Sequence, residues 1–364
     1  MQSKNKKKIC IVVQSLSEGG AQRSTALLSK TLALLGHDIH LVSVLNKIEY
    51  DFEGTLFNLG ELKERNDTFF GRLNRLLVFR KYLKEHNFDY IIDNRARVQA
   101  YREILITKVL YGTKGVYVIR NYDDLTFTKY EWLNRYLYRN EIMIAVSEGI
   151  REKFEKKYAL NNITTINNAV DIDSLAKMAN QTSSDAQALG KFIILYGRLD
   201  DEYKNLKLLL EAFKESRLPK NNVKLVIIGD GPDKDMIISH SDSLGLSDQM
   251  VFYPYTDNPF VYVKHAAFTL VTSRVEGFPR VILESLAIGT PVISVDCPTG
   301  PGEIIDHGKN GLLVENFNPK ALAEAMDSFI FDKELYDFCK SHAQASIEKY
   351  SMQHISQEWK KVLK

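Results

Sequence analysis

Short apolar runs alternate with amphipathic stretches along the whole chain. In the first half, the runs KICIVVQSL, DIHLVSVL, YIID, GVYVIR and IMIAVS are typical of strands that are buried on both faces of a parallel sheet. A Gly-rich turn, SEGGAQR, follows the first run, and the apolar residues of STALLSKTLALLG then recur at helical spacing. This order of strand, loop, helix and strand predicts a doubly wound α/β domain.

A polar segment separates this half from a second one with the same pattern. ANQTSSDAQALG, near residue 180, has small side chains and no periodicity, as expected of a connector. Beyond it, KFIILYGR, VKLVIIGDG, QMVFYPY, FTLVTS and PVISVD predict strands, and LKLLLEAFKES, DMIISHSDSLG and RVILESLAIG predict helices. The 364 residues are therefore expected to form two Rossmann-like domains, with the ligand in a cleft between them.

The charge of the chain is divided unevenly between these halves. Residues 1–180 hold 28 Lys and Arg against 21 Asp and Glu, a net charge of +7, whereas residues 181–364 carry −5. A basic half indicates that this part of the protein faces an anionic partner. Chance variation between two domains is the alternative.

The cysteines and the chain start predict a cytoplasmic protein. Cys10, Cys297 and Cys339 share no metal-ligand spacing, and we interpret them as small buried apolar residues of a reducing compartment. The basic start MQSKNKKK precedes an apolar run that is too short for a signal peptide, so we expect a solvated lead-in to a strand. No segment approaches the length of a membrane span.

Two loops that follow predicted strands could bind phosphate. In SLSEGGAQRS, Gly19 and Gly20 precede a helix, where free amides and the helix dipole attract anions, but a plain tight turn is equally compatible. In YGRLDDEYKN, Arg198 and Lys204 lie past the carboxyl end of a strand, where a guanidinium and an ammonium suit a diphosphate. Taken alone, two surface cations are the alternative.

A pair of glutamates brackets a predicted helix start in EGFPRVILE. Pro279 is expected at the first helical position and Gly289 at the C-terminal cap. Glu276 then lies ahead of the helix and Glu284 inside it, about 7–8 Å further along, with the free amides around Gly277, Phe278 and Val281 between them. Ionised carboxylates accept hydrogen bonds from pairs of hydroxyls, and hydroxyl pairs at both ends of a diphosphate describe a nucleotide sugar. A first-turn glutamate plus a surface glutamate is the alternative.

These segments resemble a known family. EGFPRVILE, with seven residues between its glutamates, is similar to the E-x7-E motif of retaining glycosyltransferases of family 4, which have the α/β GT-B fold of two Rossmann-like domains facing a central cleft. The resemblance covers roughly residues 10–325 and includes GGAQR, SEGIREKF, NNAVDIDSL, YGRLDDEYKN, IGDGP and AIGTPVISVDCPTGPGEIIDHGKNGLLV, in the family's order. It implies an acceptor-binding domain over 1–180, a nucleotide-sugar-binding domain over 181–345, and a last helix over 346–364 that crosses back to the first domain.

The resemblance also implies a role for each matching residue. Arg198 and Lys204 neutralise the donor diphosphate, and Gly20 approaches it from the other domain. Glu284 holds the ribose, and Glu276 contacts donor-sugar hydroxyls with help from the backbone of Gly277 and Phe278. The nucleobase is expected near Tyr253 and Tyr255. Many relatives have a histidine after the strand GVYVIR, whereas this chain has Arg120 and Asn121, which become tentative donor-sugar or acceptor residues.

The implied reaction retains the anomeric configuration and uses no metal and no cofactor besides the donor. The D-x-D pair Asp171 and Asp173 matches a structural segment of the family.

On the acceptor side, residues 71–86 predict a helix. Leu73, Leu76, Leu77 and Leu83 lie on one side of it, and it carries several cations. Such a helix can lie on an anionic membrane or bind a lipid diphosphate; inward packing of its leucines is the alternative.

We therefore predict transfer of a hexose or N-acetylhexosamine, from UDP, to a glycan or lipid-linked glycan, with no nucleic-acid partner, in the cytoplasm or at the inner face of its membrane. DCPTGPGEII resembles relatives that extend bacterial surface glycans. Two alternatives stay open: a catalytically silent GT-B partner of another transferase, and a UDP-sugar epimerase. GT-B phosphorylases fit less well, because they need a Schiff-base lysine and are usually much longer.

Overall fold

The computed structural model describes residues 6–364, so the first five residues of the predicted basic lead-in lie outside the described range. The chain divides into two compact units. The first runs to Ala169 and includes Met352–Lys364, and the second is Val170–Ser351.

The first unit is built on a parallel sheet of seven strands. Their order across the sheet is β3-β2-β1-β4-β5-β6-β7. Ile11 at the centre of β1 is aligned with Leu41 on β2 and with Ile92 on β4, and all three side chains are buried. The strands are β1 (Lys8–Val13), β2 (Asp38–Ser43), β3 (Thr55–Asn58), β4 (Tyr90–Asp93), β5 (Gly115–Ile119), β6 (Ile142–Ala145) and β7 (Ile163–Thr165).

Helices cover this sheet and connect its strands. They are α1 (Gly20–Ala33), α2 (Leu59–Arg65), α3 (Phe69–His86), α4 (Ala100–Leu105), α5 (Glu131–Tyr138) and α6 (Glu148–Tyr158). A π-helical segment, Ile106–Tyr111, continues α4, and short 3₁₀ turns span Gly112–Lys114 and Asp124–Thr126. The doubly wound arrangement predicted from the apolar runs is confirmed for this half.

The second unit repeats the plan with a parallel sheet of six strands in the order β10-β9-β8-β11-β12-β13. The strands are β8 (Phe192–Tyr196), β9 (Lys224–Ile228), β10 (Met250–Tyr253), β11 (Thr269–Val271), β12 (Val292–Asp296) and β13 (Gly311–Glu315). The helices are α7 (Ile172–Ala179), α8 (Ser184–Ala188), α9 (Asp201–Lys204), α10 (Leu206–Glu215), α11 (Lys234–Ser243), α12 (Phe260–His265), α13 (Arg280–Ile288), α14 (Pro301–Ile304), α15 (Pro319–Phe331) and α16 (Lys333–Ser346). Three 3₁₀ turns (Pro219–Asn221, Ser247–Gln249 and Glu348–Tyr350) and the last helix, α17 (Met352–Val362), complete the chain.

The two units meet in sequence at Ala169, earlier than the predicted boundary at 180. The reason is α7, which was assigned to the first half but packs on α12 and α13 of the second unit. The side chain of Asp171 caps this helix by accepting a hydrogen bond from Ser174 N at 3.0 Å, so its structural interpretation is confirmed. At the other end, the second unit extends to Ser351, beyond the predicted 345.

All three cysteines are buried and free, as predicted. Burial raises the pKa of the Cys339 thiol to about 11 and raises the pKa of Cys10 further. Neutral thiols of this kind act as small apolar core residues. None of the helices in residues 6–364 combines the length and apolar character needed to cross a bilayer.

Candidate active site

The Arg198 loop is held by a close backbone approach in the second unit. Gly197 has a φ of +134° and directly precedes Arg198. A Cβ at Gly229 would lie 1.9 Å from the carbonyl oxygen of Gly197, and one at Gly231 would lie 2.2 Å from that of Leu199. The glycines of IGDGP therefore let the loop after β9 pack against the loop that carries Arg198.

Lys204 and Glu276 form an ion pair at the carboxyl edge of this sheet. Lys204 Nζ lies 2.7 Å from Glu276 Oε1 and 3.3 Å from Ser273 Oγ, and Ser273 Oγ lies 2.7 Å from the same carboxylate oxygen. The side chains of Lys204 and Glu276 are 32% and 16% exposed. The cation predicted to bind phosphate thus contacts the carboxylate predicted to bind sugar, although the two are far apart in sequence.

Arg198 is not part of this contact. Its guanidinium Nε lies 3.4 Å from Asp200 Oδ2, and the side chain is 72% exposed. An ion pair so exposed contributes little to stability. Arg198 therefore stands at the same sheet edge as an accessible cation, while the position of Lys204 is fixed by its neighbours.

The loop formed by residues 276–279 is held in place by contacts with the loop after β12. Thr299 Oγ1 donates to the carbonyl oxygen of Glu276 at 2.6 Å, and lies 3.1 Å from that of Gly277. Gly300 has a φ of +91°, and a Cβ there would lie 2.4 Å from Pro279 Cδ. Only glycine fits this position, so the segment CPTGPGE supports the glutamate loop directly.

The helix after this loop begins one residue later than predicted. Pro279 has an extended ψ of 113° and is the N-cap of α13, and Gly289, with a φ of +87°, ends the helix as predicted. Phe278 is buried and its ring packs on Tyr350 at 5.3 Å, so this residue can offer a ligand only its backbone. Val281 is the second helical residue, and its N–H has no acceptor within the helix.

Glu284 is buried inside α13, so the interpretation of this residue as a surface glutamate is wrong. Its Oε1 accepts from Arg280 Nη2 at 2.8 Å, one helical turn earlier, and its Oε2 accepts from the Tyr196 hydroxyl at 3.2 Å. The side chains of Arg280 and Glu284 are 11% and 4% exposed. The carboxylate is therefore charge-compensated and fixed in orientation by α13 and by the end of β8.

A buried thiol lies beside the glutamate loop. Burial, and then the carboxylate of Glu276, raise the pKa of Cys297 to about 12. Cys297 is therefore neutral at physiological pH, which makes it a packing residue of the site and not a nucleophile. Within residues 6–364, no cluster of three or more His, Cys, Asp and Glu side chains is arranged to hold a metal.

The aromatic segment after β10 is anchored by a carboxylate. Asp230 Oδ2 accepts from the backbone N–H of Tyr255 at 2.7 Å. Hydrogen bonds from Lys234 and then from Tyr255 N lower the pKa of Asp230. Tyr253 packs on Tyr262 at 5.1 Å, whereas Tyr255 is 59% exposed. Tyr255 can thus present a ring to a base, and Tyr253 supports the segment.

In the first unit, α1 begins at Gly20 with no side-chain cap. Gly19 is its N-cap and has a φ of +103°, which explains the tight turn. Gly20 is exposed, and the first-turn amides of α1 have no acceptors within the helix. Phosphate binding at Gly20 stays a prediction.

Arg120, also in the first unit, is held by two asparagine oxygens after β5. Its Nε donates to Asn94 Oδ1 at 2.8 Å, and its Nη1 donates to Asn168 Oδ1 at 2.6 Å. The guanidinium lines a pocket that Ser24 and Trp359 also border. Asn121, next in sequence, is exposed. These neutral acceptors orient Arg120 without removing its charge.

Sequence reasoning missed four residues that position the predicted ones, namely Tyr196, Ser273, Arg280 and Thr299. Arg280 was within reach, because an arginine four residues before a glutamate in a helix predicts an ion pair. Ser273 was also within reach, since it lies only three residues before Glu276 in the same loop. Tyr196 and Thr299 lie on another strand and another loop, and only the folded sheet brings them to the glutamates.

Two protein-family models match the chain in consecutive stretches. Residues 18–174 match the model described as Glycosyltransferase Family 4. Residues 179–346 match the model described as Glycosyl transferases group 1. The chain belongs to glycosyltransferase family 4.

Relatives and a solved structure agree with this assignment. The glycosyltransferase is 26% identical over 372 residues to the N-acetylgalactosamine-N,N'-diacetylbacillosaminyl-diphospho-undecaprenol 4-alpha-N-acetylgalactosaminyltransferase of Campylobacter jejuni, covering 98% of this chain and 99% of the relative. It is 32% identical over 178 residues to the lipopolysaccharide 1,6-galactosyltransferase of Escherichia coli K12, covering 47% of each chain. Anabaena HepE, solved in complex with UDP and glucose, superposes with a TM-score of 0.75 at 20% identity, covering 98% of this chain and 99% of HepE. This likeness confirms the predicted GT-B fold.

Proposed function

We propose that this glycosyltransferase moves a hexose or N-acetylhexosamine from a UDP-sugar to a glycan or lipid-linked glycan, with retention of the anomeric configuration and without a metal. The observation that carries the proposal is the contact between Lys204 Nζ and Glu276 Oε1, 2.7 Å apart at the sheet edge beside the start of α13. The contact supports the proposal because an ammonium suits a phosphate and the neighbouring carboxylate can accept hydrogen bonds from sugar hydroxyls.

Each part of the UDP-sugar donor is proposed to contact the residues at this sheet edge whose chemistry suits it. Arg198 and Lys204 neutralise the diphosphate together with the first amides of α13. Glu276 accepts hydrogen bonds from the sugar hydroxyls, and Glu284 accepts from the ribose diol with Tyr196 and Arg280 holding its carboxylate. Tyr255 stacks on the base. A UDP donor is supported by the UDP-bound relative HepE.

The chemical step is a displacement at the anomeric carbon. The bond from this carbon to the β-phosphate oxygen breaks, and UDP departs with the electron pair. The acceptor hydroxyl oxygen forms the new bond on the same face, and its proton leaves with the diphosphate. Lys204 and Arg198 stabilise the negative charge that develops on UDP in the transition state, a kind of contribution worth about 10²–10³ in rate per group.

The acceptor side is assigned to the first unit. Arg120 and Asn121 offer a cation and an amide at the carboxyl edge of the first sheet for a hydroxylated or anionic group. The Campylobacter relative, by its name, acts on a diphospho-undecaprenol substrate, and the Escherichia coli relative acts on lipopolysaccharide. We therefore favour a lipid-linked or surface-glycan acceptor and a cytoplasmic location at the membrane.

The test is a panel of UDP-hexoses and UDP-N-acetylhexosamines, each with undecaprenyl diphosphate N-acetylhexosamine as the acceptor probe and with excess EDTA. We expect UDP release with one donor and no effect of EDTA. NMR should show that the α-linked sugar of the donor becomes an α-linked sugar in the product. Donor hydrolysis without acceptor should be slow but measurable.

Matched variants assign the activity to the proposed residues. Glu276→Gln and Lys204→Met should lower turnover about 10²–10³-fold, whereas the exposed neighbours Glu202→Gln and Lys207→Met should leave it within about twofold. Sugar interconversion without UDP release would instead identify an epimerase. Donor binding without any turnover across the panel would identify a silent partner protein.

A further inference from the structure

Exposed apolar side chains are concentrated on one part of the first unit. Of the seventeen large apolar side chains that are exposed among the described residues, eleven lie between residues 69 and 136. They are Phe69, Phe70, Leu73, Leu77, Val98, Tyr101, Ile104, Val109, Tyr130, Trp132 and Tyr136. Isolated exposed apolar residues are ordinary, but a concentration of this kind marks an interaction surface.

On α3 these side chains form a stripe that ends in cations. Phe69, Leu73 and Leu77 recur every four residues and are 76%, 46% and 53% exposed, and Arg80 and Lys84 continue the same line. The helix packs inward through Phe79, Tyr82 and Leu83 instead. Inward packing is therefore wrong for Leu73 and Leu77, and the predicted single leucine face is divided between the core and solvent.

α5 repeats this arrangement on a shorter helix. Trp132, Arg135 and Tyr136 are exposed on one side of α5, and the exposed Arg139, its C-cap residue, continues the same spacing. Trp132 is 70% exposed and Tyr136 is 53% exposed. The opposite side, including Leu133 and Leu137, is buried. Two rings thus alternate with two guanidinium groups on the solvent side.

α4 and its π-helical continuation lie between these two helices. The chain passes from β3 to β4 through α3, from β4 to β5 through α4 and from β5 to β6 through α5, always in one direction across the sheet. Because nearly all crossovers between parallel strands are right-handed, the three helices are expected on the same face of the sheet. Tyr111 packs on Phe79 of α3 with ring centroids 6.4 Å apart. Lys108 Nζ donates to Leu137 O of α5 at 3.1 Å. We call the exposed side chains of these helices the α3–α5 surface.

The charge of this segment matches an anionic partner. Residues 69–140 hold 14 Lys and Arg against 7 Asp and Glu, a net charge of +7, equal to the whole excess of residues 1–180. Asp93 and Glu103 are buried, and so are Arg95 and Arg97, so the buried charges cancel and the net charge of +7 belongs to the remaining residues. Of the acidic residues on the three helices, Glu85 and Glu131 are the exposed ones among the described residues.

We propose that the α3–α5 surface docks on an anionic lipid bilayer, with Phe69, Leu73 and Trp132 entering the headgroup region and the arginines and lysines meeting lipid phosphates. Aromatic rings interleaved with long cationic side chains suit an interface that is apolar below and charged above. A protein interface would concentrate its apolar residues in a desolvated centre with few charges, which is unlike the even mixture on these helices. The docking does not depend on the donor chemistry.

The two tryptophans make docking directly measurable. Trp132 is exposed on α5, and Trp359 is buried on α17. The full chain is mixed with vesicles of phosphatidylcholine alone, or of phosphatidylcholine with phosphatidylglycerol. We expect a shift of the emission to shorter wavelength, and flotation with the vesicles, only with phosphatidylglycerol, both reversed by high salt. In Trp132→Phe the shift should disappear while flotation persists, because Trp359 reports a site that does not change.

Two sets of substitutions separate the contribution of the cations to vesicle binding from that of the apolar side chains. Arg80→Glu, Lys84→Glu, Arg135→Glu and Arg139→Glu combined should lower the vesicle partition coefficient at least about 100-fold. Phe69→Ser with Leu73→Ser should lower it about tenfold or more. Phe338→Ser with Lys220→Glu removes an exposed ring and a cation from the second unit and is the control, with no expected change. Donor hydrolysis in detergent-free buffer should be equal in all of these variants, so a failure of docking is distinct from a failure of the proposed activity.

Three results would overturn the proposal. No flotation with phosphatidylglycerol at low salt would exclude docking on anionic lipid. Equal binding of the charge-reversed variant and the unaltered protein would remove the α3–α5 surface as the cause. A concentration-dependent dimer in gel filtration that the same variants abolish, without vesicle binding, would identify a second copy of this chain as the occupant.

Discussion

Lys204 on α9 and Glu276 ahead of α13 share one ion pair, 2.7 Å between Nζ and Oε1, which Ser273 joins through its hydroxyl. In the proposed donor complex the ammonium faces a diphosphate and the carboxylate faces sugar hydroxyls. The two groups therefore hold each other in position before the donor arrives. This mutual positioning has measurable consequences.

The first prediction is that Lys204 and Glu276 act as one unit in catalysis. Lys204→Met and Glu276→Gln should each lower kcat/KM about 10²–10³-fold, and the double variant should lower it by much less than the product of the two losses. Either substitution removes the contact that orients the other side chain for the transition state, although the remaining group can still contact the donor, so the second substitution lowers kcat/KM little more. Steady-state kinetics of donor turnover measure the three values, and Lys207→Met is the control. Losses that multiply would show independent roles.

The second prediction concerns the buried pair Arg280 and Glu284. Glu284→Ala should lower the free energy of unfolding by about 3–5 kcal/mol, because it leaves a guanidinium buried without its carboxylate. Arg280→Met with Glu284→Leu should recover most of this loss, since neither charge then remains. Urea unfolding measures both effects.

An exposed pair with the same spacing on α16 is the control for that comparison. Lys333 and Asp337 also lie four residues apart, with side chains 88% and 55% exposed. Asp337→Ala should change the free energy of unfolding by less than about 1 kcal/mol. A similar cost at both pairs would show that burial does not set the value.

The third prediction concerns Gly300, which fastens the glutamate loop. Gly300→Ala should destabilise the second unit and weaken donor binding, because its Cβ would lie 2.4 Å from Pro279 Cδ. Gly308 also has a positive φ, +76°, but a Cβ there meets nothing within 4 Å. Gly308→Ala should therefore lower the free energy of unfolding only by the backbone strain, about 1–2 kcal/mol, and should keep donor affinity. Thermal unfolding and donor titration distinguish the two, and equal effects would contradict the proposed support of the loop.

The fourth prediction is a loss of stability in mild acid through His40. Burial lowers its pKa, and the carboxylate of Asp38, 3.6 Å from Nε2, opposes that shift, while His86 and Lys8 add to it. The folded state therefore disfavours the protonated imidazole, and the unfolded state binds the proton near its ordinary pKa of about 6.5. Stability from this group is present above about pH 6.5 and is lost as the pH falls toward the lower folded pKa.

The urea midpoint at about pH 7.5 and at about pH 5.5 measures this loss. The difference between the two should shrink in His40→Gln and grow in Asp38→Asn, because the latter removes the opposing carboxylate. Tyr82, whose hydroxyl lies 2.6 Å from His40 Nδ1, stays in place in both variants. An unchanged difference in His40→Gln would assign the acid sensitivity to other groups.

The sequence predicted most of the fold because buried parallel strands form continuous apolar runs. YIID became β4 without a change of bounds, and the helix predicted from Pro279 ends at Gly289 as expected but begins one residue later. The strands β3, β7 and β13 were missed because they are short, lie at sheet edges and are only partly buried, so that they form no long apolar run. The boundary was predicted at 180 and lies after Ala169, because the polarity of ANQTSSDAQALG does not reveal that α7 packs on the helices of the second unit.

For the candidate site, the sequence predicted individual residues but not the contacts between them. A motif fixes the order of residues along one segment, and it predicted Glu276, Glu284 and Lys204 by resemblance. It does not reveal that Lys204 and Glu276 contact each other across two loops. Nor does it reveal that Thr299 and Gly300 fasten the glutamate loop, since those contacts depend on the approach of neighbouring strand ends in the folded sheet.

The most direct test of the separate roles proposed for Lys204 and Glu276 is calorimetry. It measures the binding of UDP, and of the UDP-sugar that the enzyme turns over, to the unaltered protein, to Glu276→Gln and to Lys204→Met. In Glu276→Gln, UDP affinity should be kept or improved, because Lys204 no longer shares its charge with a carboxylate, and UDP-sugar affinity should fall about tenfold or more relative to UDP. In Lys204→Met, both affinities should fall together. If Glu276→Gln leaves the ratio of the two affinities unchanged, Glu276 does not hold the sugar, and the proposed donor orientation is wrong.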